Sequence, residues 1–425
     1  MRFAQALSDL DGRQPSRMVP DLDRIRMLAD LLDHPERIYP SVHVTGTNGK
    51  TTTARLIARI LCAHGLATGV YTSPHLRSVT ERLALCDENI SEEELAEVYT
   101  HLEPFLHEVD ARGERVTYFE TLTALAYLWF ADKPVDAGVF EVGMGGEWDA
   151  TNLIDGKVAV FCSIDMDHPE LGSTVEEVAR EKAGIIKPGA IAVVEDPGPD
   201  SLPPIEVRAA EVGATTLLRD RDYRLTDRRP AVGGQQVSVA AVHGEYGDLA
   251  VPLHGSHQAE NVTAAVVAAE AFLGQALDEA ALRQALAGAT SPGRLEPVSR
   301  HPLVVLDGAH NPDAARAMVE GLAEAFVWQR LHLVVGVLET KDVDGILTPL
   351  ASRVTRAYAC ANSNPRSLRP EAMAAACRRA GIDAEPQPTV AGALDEAEAV
   401  AGEDDLILVT GSLYTVADAR PRYVT

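Results

Sequence analysis

Residues Val42 to Thr53 read VHVTGTNGKTTT, and no other stretch narrows the possible folds of this chain as far. A short β-rich run, Val42-His43-Val44, enters a glycine turn that closes in Gly49-Lys50-Thr51. Leu56, Ile57, Ile60 and Leu61 follow at helical spacing, and Gly65 is a stop signal. Strand, glycine turn and helix N-terminus together make an anion site. Main-chain N–H groups point at phosphate oxygens, the lysine adds a positive charge, and the threonine hydroxyl reaches a phosphate-bound Mg²⁺. The spacing departs from G-x-x-x-x-G-K-[ST], because Val44 stands where the first glycine belongs. The shorter GTNGKT still needs a nucleotide to explain it.

Composition sets the outer limits. With 425 residues the chain is too long for one ordinary domain and suits two or three. The first residues lack a basic-then-apolar leader pattern, and no apolar run approaches the roughly 18 residues of a membrane span. A formal charge of −25 argues against nucleic acid or an anionic membrane as partner. Cys62, Cys86, Cys162, Cys360 and Cys377 lie scattered without C-x-x-C spacing, which points to a reducing, cytoplasmic setting. Lysine is scarce: Lys50, Lys133, Lys157, Lys182, Lys187 and Lys341 are all the chain has, and arginine supplies the rest of the positive charge. Against that background a lysine inside a motif is there for its chemistry.

Apolar β-rich segments alternate with helical patterns from residue 41 to about 194. Strands are predicted at 42–45, 68–72, 135–141, 157–164 and 190–194, and helices near 51–64, 91–111, 119–131 and 174–184. That alternation predicts a mainly parallel sheet covered by helices. Short alternating runs over 215–253 suggest a small antiparallel subsheet, followed by Ala-rich helices at 258–273 and 278–288. Thr290-Ser291-Pro292-Gly293 reads as a hinge. Beyond it the alternation restarts, with strands near 303–307, 331–337, 354–359 and 405–410 and helices near 312–325, 343–352, 370–380 and 390–400. The expected fold class is α/β. A P-loop nucleotide-binding domain with a mainly parallel sheet would span 1–295, and a smaller Rossmann-like α/β domain 296–425.

In open parallel sheets, ligands gather at the carboxyl ends of the strands. Strand 135–141 ends at Glu141 and runs into Gly143-Met144-Gly145-Gly146; strand 157–164 ends in Asp165-Met166-Asp167-His168. Singly, Glu141 could be a helix cap and His168 an ordinary loop histidine. Together, next to triphosphate oxygens, they would hold divalent cations, since Mg²⁺ takes few protein groups plus phosphates. Lys182 is the least expected residue. In the helix STVEEVAREKAGII it lies on the buried face with Val175, Val178, Ala179 and Ile186. A buried ammonium is costly, and burial drives a lysine toward the neutral amine. A neutral amine can take up CO₂ as a carbamate, which turns a cation into a carboxylate-like metal ligand. A lysine snorkelling at the edge of the stripe is the plainer alternative.

The segments GTNGKTT, SPHL (73–76), TERL (80–83), EVGMGGEWDATN (141–152), DHPELGST (167–174) and EKAGIIKPG (181–189) stand in this order. HGSHQAEN (254–261), SPGRLE (291–296), DGAHNP (307–312) and TGSLY (410–414) follow them. In combination they resemble the Mur ligase superfamily, and within it they are most similar to the bifunctional dihydrofolate synthase/folylpolyglutamate synthase family. The resemblance implies ATP-dependent amide formation. ATP would phosphorylate a carboxylate of dihydropteroate or folate, and the α-amine of L-glutamate would attack the acyl phosphate. It implies that Thr47, Asn48, Gly49, Lys50 and Thr51 cradle the phosphates. Ser73 and Glu141 would bind a first Mg²⁺, and His168 with carbamoylated Lys182 a second. Asn261 would contact adenine, while Arg294, Asp307, His310 and Asn311 reach the nucleotide. Lys50, Lys182, His168 and Arg294 form the implied catalytic set. For the pterin the resemblance points to Val19, Pro20 and Asp21, to Thr117 and Phe119, and to Asp149 and Ala150; Lys341 falls near the glutamate or nucleotide. Closure of the C-terminal domain would exclude water and protect the acyl phosphate. The expected state is a monomer acting on small molecules, with no nucleic acid or membrane partner.

The sequence leaves the family at two places. The family reads Gly-Gly-Arg after Glu-Val-Gly-x, and here the arginine is Glu147; the loop that usually carries Asp-Lys-Asp reads Thr340-Lys341-Asp342. A carboxylate at 147 either turns to solvent while Trp148 packs inward, or binds a cation; the first is expected. A ligase for another carboxylate–amino acid pair is the alternative within the superfamily. A catalytically silent nucleotide-binding protein is the other, and intact Lys50, Glu141, His168 and Lys182 oppose it.

Overall fold

The computed structural model describes residues 2–14, 20–113, 115–166 and 169–424. They form two compact units. One comprises Met1–Asp227, Val237–Ala250 and Ala259–Ala289, the other Arg228–Gln236, Val251–Gln258 and Thr290–Thr425.

The first unit opens with α1 (Phe3–Asp11), α2 (Asp23–Leu31), β1 (Ser41–Thr45), α3 (Lys50–Ala63) and β2 (Thr68–Tyr71). The hairpin β3 (Leu83–Leu85) and β4 (Glu88–Asn89) leads to α4 (Glu92–Arg112) and α5 (Tyr118–Asp132). Capping boxes start both helices: Ser91 exchanges hydrogen bonds with Glu94, and Thr117 with Glu120. Next come β5 (Ala137–Glu141), β6 (Gly156–Phe161), α6 (Val175–Ala183), β7 (Ile191–Val194), α7 (Leu202–Glu211) and β8 (Thr215–Leu218). The sheet runs β4-β3-β2-β5-β1-β6-β7-β8. Neighbours from β2 to β8 are parallel, and β3 and β4 add an antiparallel edge. Every residue of β1 is buried, as a central parallel strand with both faces covered requires. It lies between β5 and β6, so strand order reverses around it, and the crevice at such a point takes ligands.

The strands β9 (Arg224–Ala231), β10 (Gly234–Ala240) and β11 (Glu245–Val251) form a separate sheet, before α8 (Ser256–Leu273) and α9 (Glu279–Ala287). Their short connections permit only antiparallel pairing. The subsheet expected over 215–253 is therefore too wide, because Thr215–Leu218 is β8 and pairs in parallel with β7. An edge strand is half exposed, and its alternation mimics that of a hairpin strand.

The second unit carries β12 (Glu296–Arg300), β13 (Leu303–Leu306), α10 (Pro312–Ala325), β14 (Leu331–Val335), α11 (Val343–Leu347) and β15 (Arg356–Cys360). It ends with α12 (Pro370–Arg379), β16 (Ala384–Gln387), α13 (Val390–Val400), β17 (Leu406–Thr410) and α14 (Leu413–Ala419). The order β12-β13-β17-β14-β15-β16 is parallel except at β12. One face of the sheet, with Leu333, Val335 and Leu408, packs on Met318, Leu322, Leu347 and Met373 from the helices.

The cysteine reading is corrected by the structure. Cys62 and Cys86 form a disulfide, while Cys162, Cys360 and Cys377 are free and buried. Cys62 lies in the last turn of α3 and Cys86 in the β3–β4 turn, and β2 packs beside both elements. Spacing along the chain is blind to a neighbour made by folding, so the scatter of cysteines no longer supports a reducing setting. Among the described residues no helix is long and apolar enough to cross a membrane.

Candidate active site

Strand β1 delivers the glycine turn to the N-terminus of α3. Gly49 sits at φ +88°, and a Cβ there would lie 2.4 Å from Asn261 Oδ1, so only glycine fits. Thr47 latches the turn to the segment after β6. Its hydroxyl donates to the Asp165 carbonyl at 2.8 Å and accepts from the Asp165 N–H at 3.0 Å. Two lysines converge on one oxygen: Lys50 Nζ and Lys182 Nζ each donate to the Gly46 carbonyl at 2.9 Å. Lys50 also donates to the Thr47 carbonyl at 3.2 Å. Lys182 is 3% exposed, in keeping with its place on the apolar face of α6. Two ammonium groups on one acceptor repel each other, and a bound polyanion or the loss of one charge relieves this.

Glu141 ends β5 beside β1 and is buried. Its Oε1 accepts from the Thr51 hydroxyl at 2.7 Å and its Oε2 from the Ser73 N–H at 2.9 Å. Burial raises its pKa; the Lys50 charge and these two hydrogen bonds offset only part of that. A carboxylate whose charge is under-compensated suits a cation. No group of three or more His, Cys, Asp or Glu side chains stands ready for a metal among the described residues. Glu141 with Ser73 nevertheless fits an ion that takes few protein ligands and completes its shell with phosphate and water. His168 and Asp167 lie outside the described residues, as does Val19. Of the second metal pair, only Lys182 is described.

The loop after β5 closes the site from another side. Thr45 Oγ1 donates to the Gly145 carbonyl at 2.8 Å, and Gly146 packs on the main chain of α6 at Lys182. Glu147 N–H donates to the Glu181 carbonyl at 3.0 Å, while its side chain is exposed and Trp148 packs on the core beneath. Glu147 thus faces solvent. Glu147→Arg is expected to keep turnover within about threefold of the parent. A tenfold loss, about 1.4 kcal/mol of transition-state stabilisation, would instead assign the carboxylate to a ligand.

Of the residues singled out for the pterin, Asp21 and Thr117 are linked through Arg24 and Glu120. Asp21 pairs with Arg24 at 3.5 Å, and Arg24 Nε donates to both oxygens of Glu120 at 3.1 Å. Glu120 in turn accepts from the Thr117 N–H at 2.8 Å. Phe119 lies against Gly143 and near the Tyr71 ring. Asp149 Oδ2 accepts from the Met144 N–H at 3.0 Å, and the Ala150 carbonyl accepts from Tyr127 at 2.9 Å. Pro20 is exposed. The buried Arg24–Glu120 pair was not foreseen; Glu120 was legible as the third residue of the Thr117 capping box, Arg24 had no signal. Glu81 was also missed. Burial works against its ionisation, but N–H groups of Leu76, Ser78 and Arg77 outweigh that and hold its pKa down, which ties the SPHL segment in place.

In the second unit Asp307 is buried and clamps main chain: it accepts from the Leu295 and Ala309 N–H groups, each at 2.8 Å. Arg294 lies near enough for its charge to favour the Asp307 carboxylate. His310 Nδ1 is 2.9 Å from the Gly308 carbonyl, and Asn311 caps α10 through the Ala314 N–H. Lys341 is half-buried just before α11, whose cap is Asp342. Asn261, in the first unit, accepts from Thr53 at 3.3 Å and so lies at the phosphate turn.

A model of the Mur ligase middle domain matches residues 44–269, and one of the Mur ligase glutamate ligase domain matches 293–413. The dihydrofolate synthase/folylpolyglutamate synthase of Mycobacterium tuberculosis is 39% identical over 97% of this chain and 92% of its own length. The chain belongs to the dihydrofolate synthase/folylpolyglutamate synthase family. That of Bacillus subtilis is 32% identical over 99% of both chains. The solved Mycobacterium tuberculosis folylpolyglutamate synthase complexed with ADP superposes with a TM-score of 0.95 at 38% identity, covering 100% of this chain and 98% of that one. Escherichia coli FolC in complex with DHPP and ADP gives 0.88 at 32% identity, over 99% and 97%. This family member is an ATP-dependent ligase acting on folate-pathway substrates.

Proposed function

We propose that the ligase joins L-glutamate to dihydropteroate and then adds further glutamates to reduced folates. The convergence of Lys50 and Lys182 on the Gly46 carbonyl, beside the Glu141–Thr51–Ser73 cluster, carries this reading. A substrate carboxylate oxygen attacks the γ-phosphorus and ADP leaves; the glutamate amine then attacks the acyl carbon and phosphate leaves. Thr47, Asn48, Gly49, Lys50 and Thr51 would hold the phosphates. Glu141 and Ser73 would hold one Mg²⁺, and His168 with Lys182 as its carbamate the other. The cations supply charge neutralisation at the transferring phosphoryl group. Carbamoylation would also remove the repulsion between the two lysines. Arg294, Asp307, His310 and Asn311 are assigned to the nucleotide, with Asn261, and Pro20, Asp21, Thr117, Phe119, Asp149 and Ala150 to the pterin. The ADP held by the Escherichia coli relative supports a nucleotide as ligand here. Lys341 is assigned to the glutamate.

In this reading residues 1–295 carry the nucleotide chemistry, 296–425 complete it, and the enzyme acts as a monomer. An ATP-consuming ligase needs ATP around it, which supports the cytoplasm; the Cys62–Cys86 disulfide points the other way. The test is phosphate release from ATP, assayed with dihydropteroate and with a reduced folate separately. Release that requires glutamate in both assays is expected. Glutamate-dependent release with neither acceptor would overturn the reading.

A further inference from the structure

Glu195 directly follows β7, on the carboxyl edge of the sheet that also carries the phosphate turn. It is buried, and its Oε2 has no hydrogen-bond partner among the described residues. Its carboxyl faces the thiol of Cys162, the first residue past β6. That thiol donates to Thr53 Oγ1 at 3.4 Å, and Thr53 donates to Asn261 Oδ1 at 3.3 Å. Asn261 Oδ1 abuts Gly49, and the Cys162 Cβ abuts both Gly46 and Gly49. All four side chains are buried. A continuous polar seam therefore runs behind the phosphate turn, and phosphate contact alone gives no reason for its far end to be a carboxyl.

We propose that Glu195 is a positioning residue for the nucleotide, acting through Cys162 and Thr53 to hold the Asn261 amide and the glycine turn in their binding arrangement, which rests on the nucleotide reading above. A seam of this kind has a polarity. With a proton on Glu195, the acid donates to the thiol, the thiol to Thr53, and Thr53 to the Asn261 amide oxygen. Without that proton the carboxylate draws the thiol hydrogen to itself and Thr53 loses its incoming donor. A negative charge is also left behind the turn that must receive a polyanion.

Glu260, Arg219, Cys162, Asp196 and Tyr223 face the group. Arg219 is divided among Glu260 at 3.3 Å, Asp220 at 3.6 Å and Asp196 at 3.8 Å, so it neutralises Glu195 poorly. Burial, helped by Glu260, raises the Glu195 pKa to about 8. The neutral acid is the state present at pH 7, and nucleotide affinity falls as pH rises through about 8.

The test is equilibrium binding of ADP to the full chain at pH 7 and pH 9.5, at fixed ionic strength, with thermal melts of every variant. The wild-type Kd is expected to rise about tenfold, within the usual span of site-to-site coupling. Glu195→Gln keeps a donor and cannot ionise, so its Kd should be the same at both pH values. Thr53→Val should raise the KM for ATP several-fold more than it lowers kcat, and Thr53→Ser should restore it. A flat wild-type profile, or a Gln variant that keeps the rise, overturns the role of Glu195. If the Gln variant does not fold, equal ADP affinity in the Val and Ser variants overturns it. A wild-type protein that binds no ADP at pH 7 defeats the nucleotide reading itself.

Discussion

Lys182→Ala is expected to lower turnover by at least 10³-fold, about 4 kcal/mol of transition-state stabilisation, while the protein stays folded. The lysine points from the buried face of α6 onto the Gly46 carbonyl, where Lys50 already donates. As a second ammonium it would add repulsion and no ligand; as a carbamate it would offer oxygens to a cation. Truncation removes the ligand but leaves no orphaned anion, so the melting temperature should move little. Small carboxylates should partly rescue the alanine variant. Lys182→Arg should fail as badly as the alanine, because a guanidinium keeps its charge and cannot be carbamoylated. The measurement is glutamate-dependent phosphate release with a melt alongside. Near-normal turnover in the arginine variant sinks the carbamate.

The candidate site was legible wherever a side chain's place follows from its local element. Lys50 and Thr51 belong to the strand–turn–helix of β1 and α3, and Glu141 to a strand end, so local pattern was enough to mark them. Lys182 stood out because a cation on an apolar face contradicts helix periodicity. What escaped depends on neighbours that only folding supplies. Cys62 meets Cys86 beside β2, and Cys162 meets both Glu195 and Thr53 from elements that lie far apart in sequence. The helix α7 was missed for another reason: Pro203 and Pro204 look like breakers, yet they sit in its first turn, where no intrahelical N–H is needed. The expected role of Asn261 at adenine came from resemblance alone, and its contact with Gly49 and Thr53 is a tertiary fact.

Glu141→Gln is expected to separate function from stability. Turnover should fall by at least 10³-fold, again about 4 kcal/mol, because the neutral amide would not hold a cation as the carboxylate would. The fold should accept it. The glutamine oxygen can take the Ser73 N–H, and its nitrogen can donate to a rotated Thr51 hydroxyl, so both present partners stay paired. Stability should even rise. Burial puts the folded-state pKa of Glu141 above the unfolded one, so the ionised group opposes folding. Its contribution is most favourable below the unfolded pKa and is lost as pH climbs through the folded pKa. At neutral pH the ligand-free glutamine variant should therefore melt higher than the parent, and the gap should close in acid. Mg²⁺ with ADP should reverse the order, since ligands stabilise only the state that binds them, and the variant lacks the carboxylate proposed to hold the cation. Melts across pH, with and without Mg²⁺ and ADP, read all of this in one experiment. Equal melting temperatures at every pH, with the Mg²⁺-dependent shift intact, would show that Glu141 holds no metal.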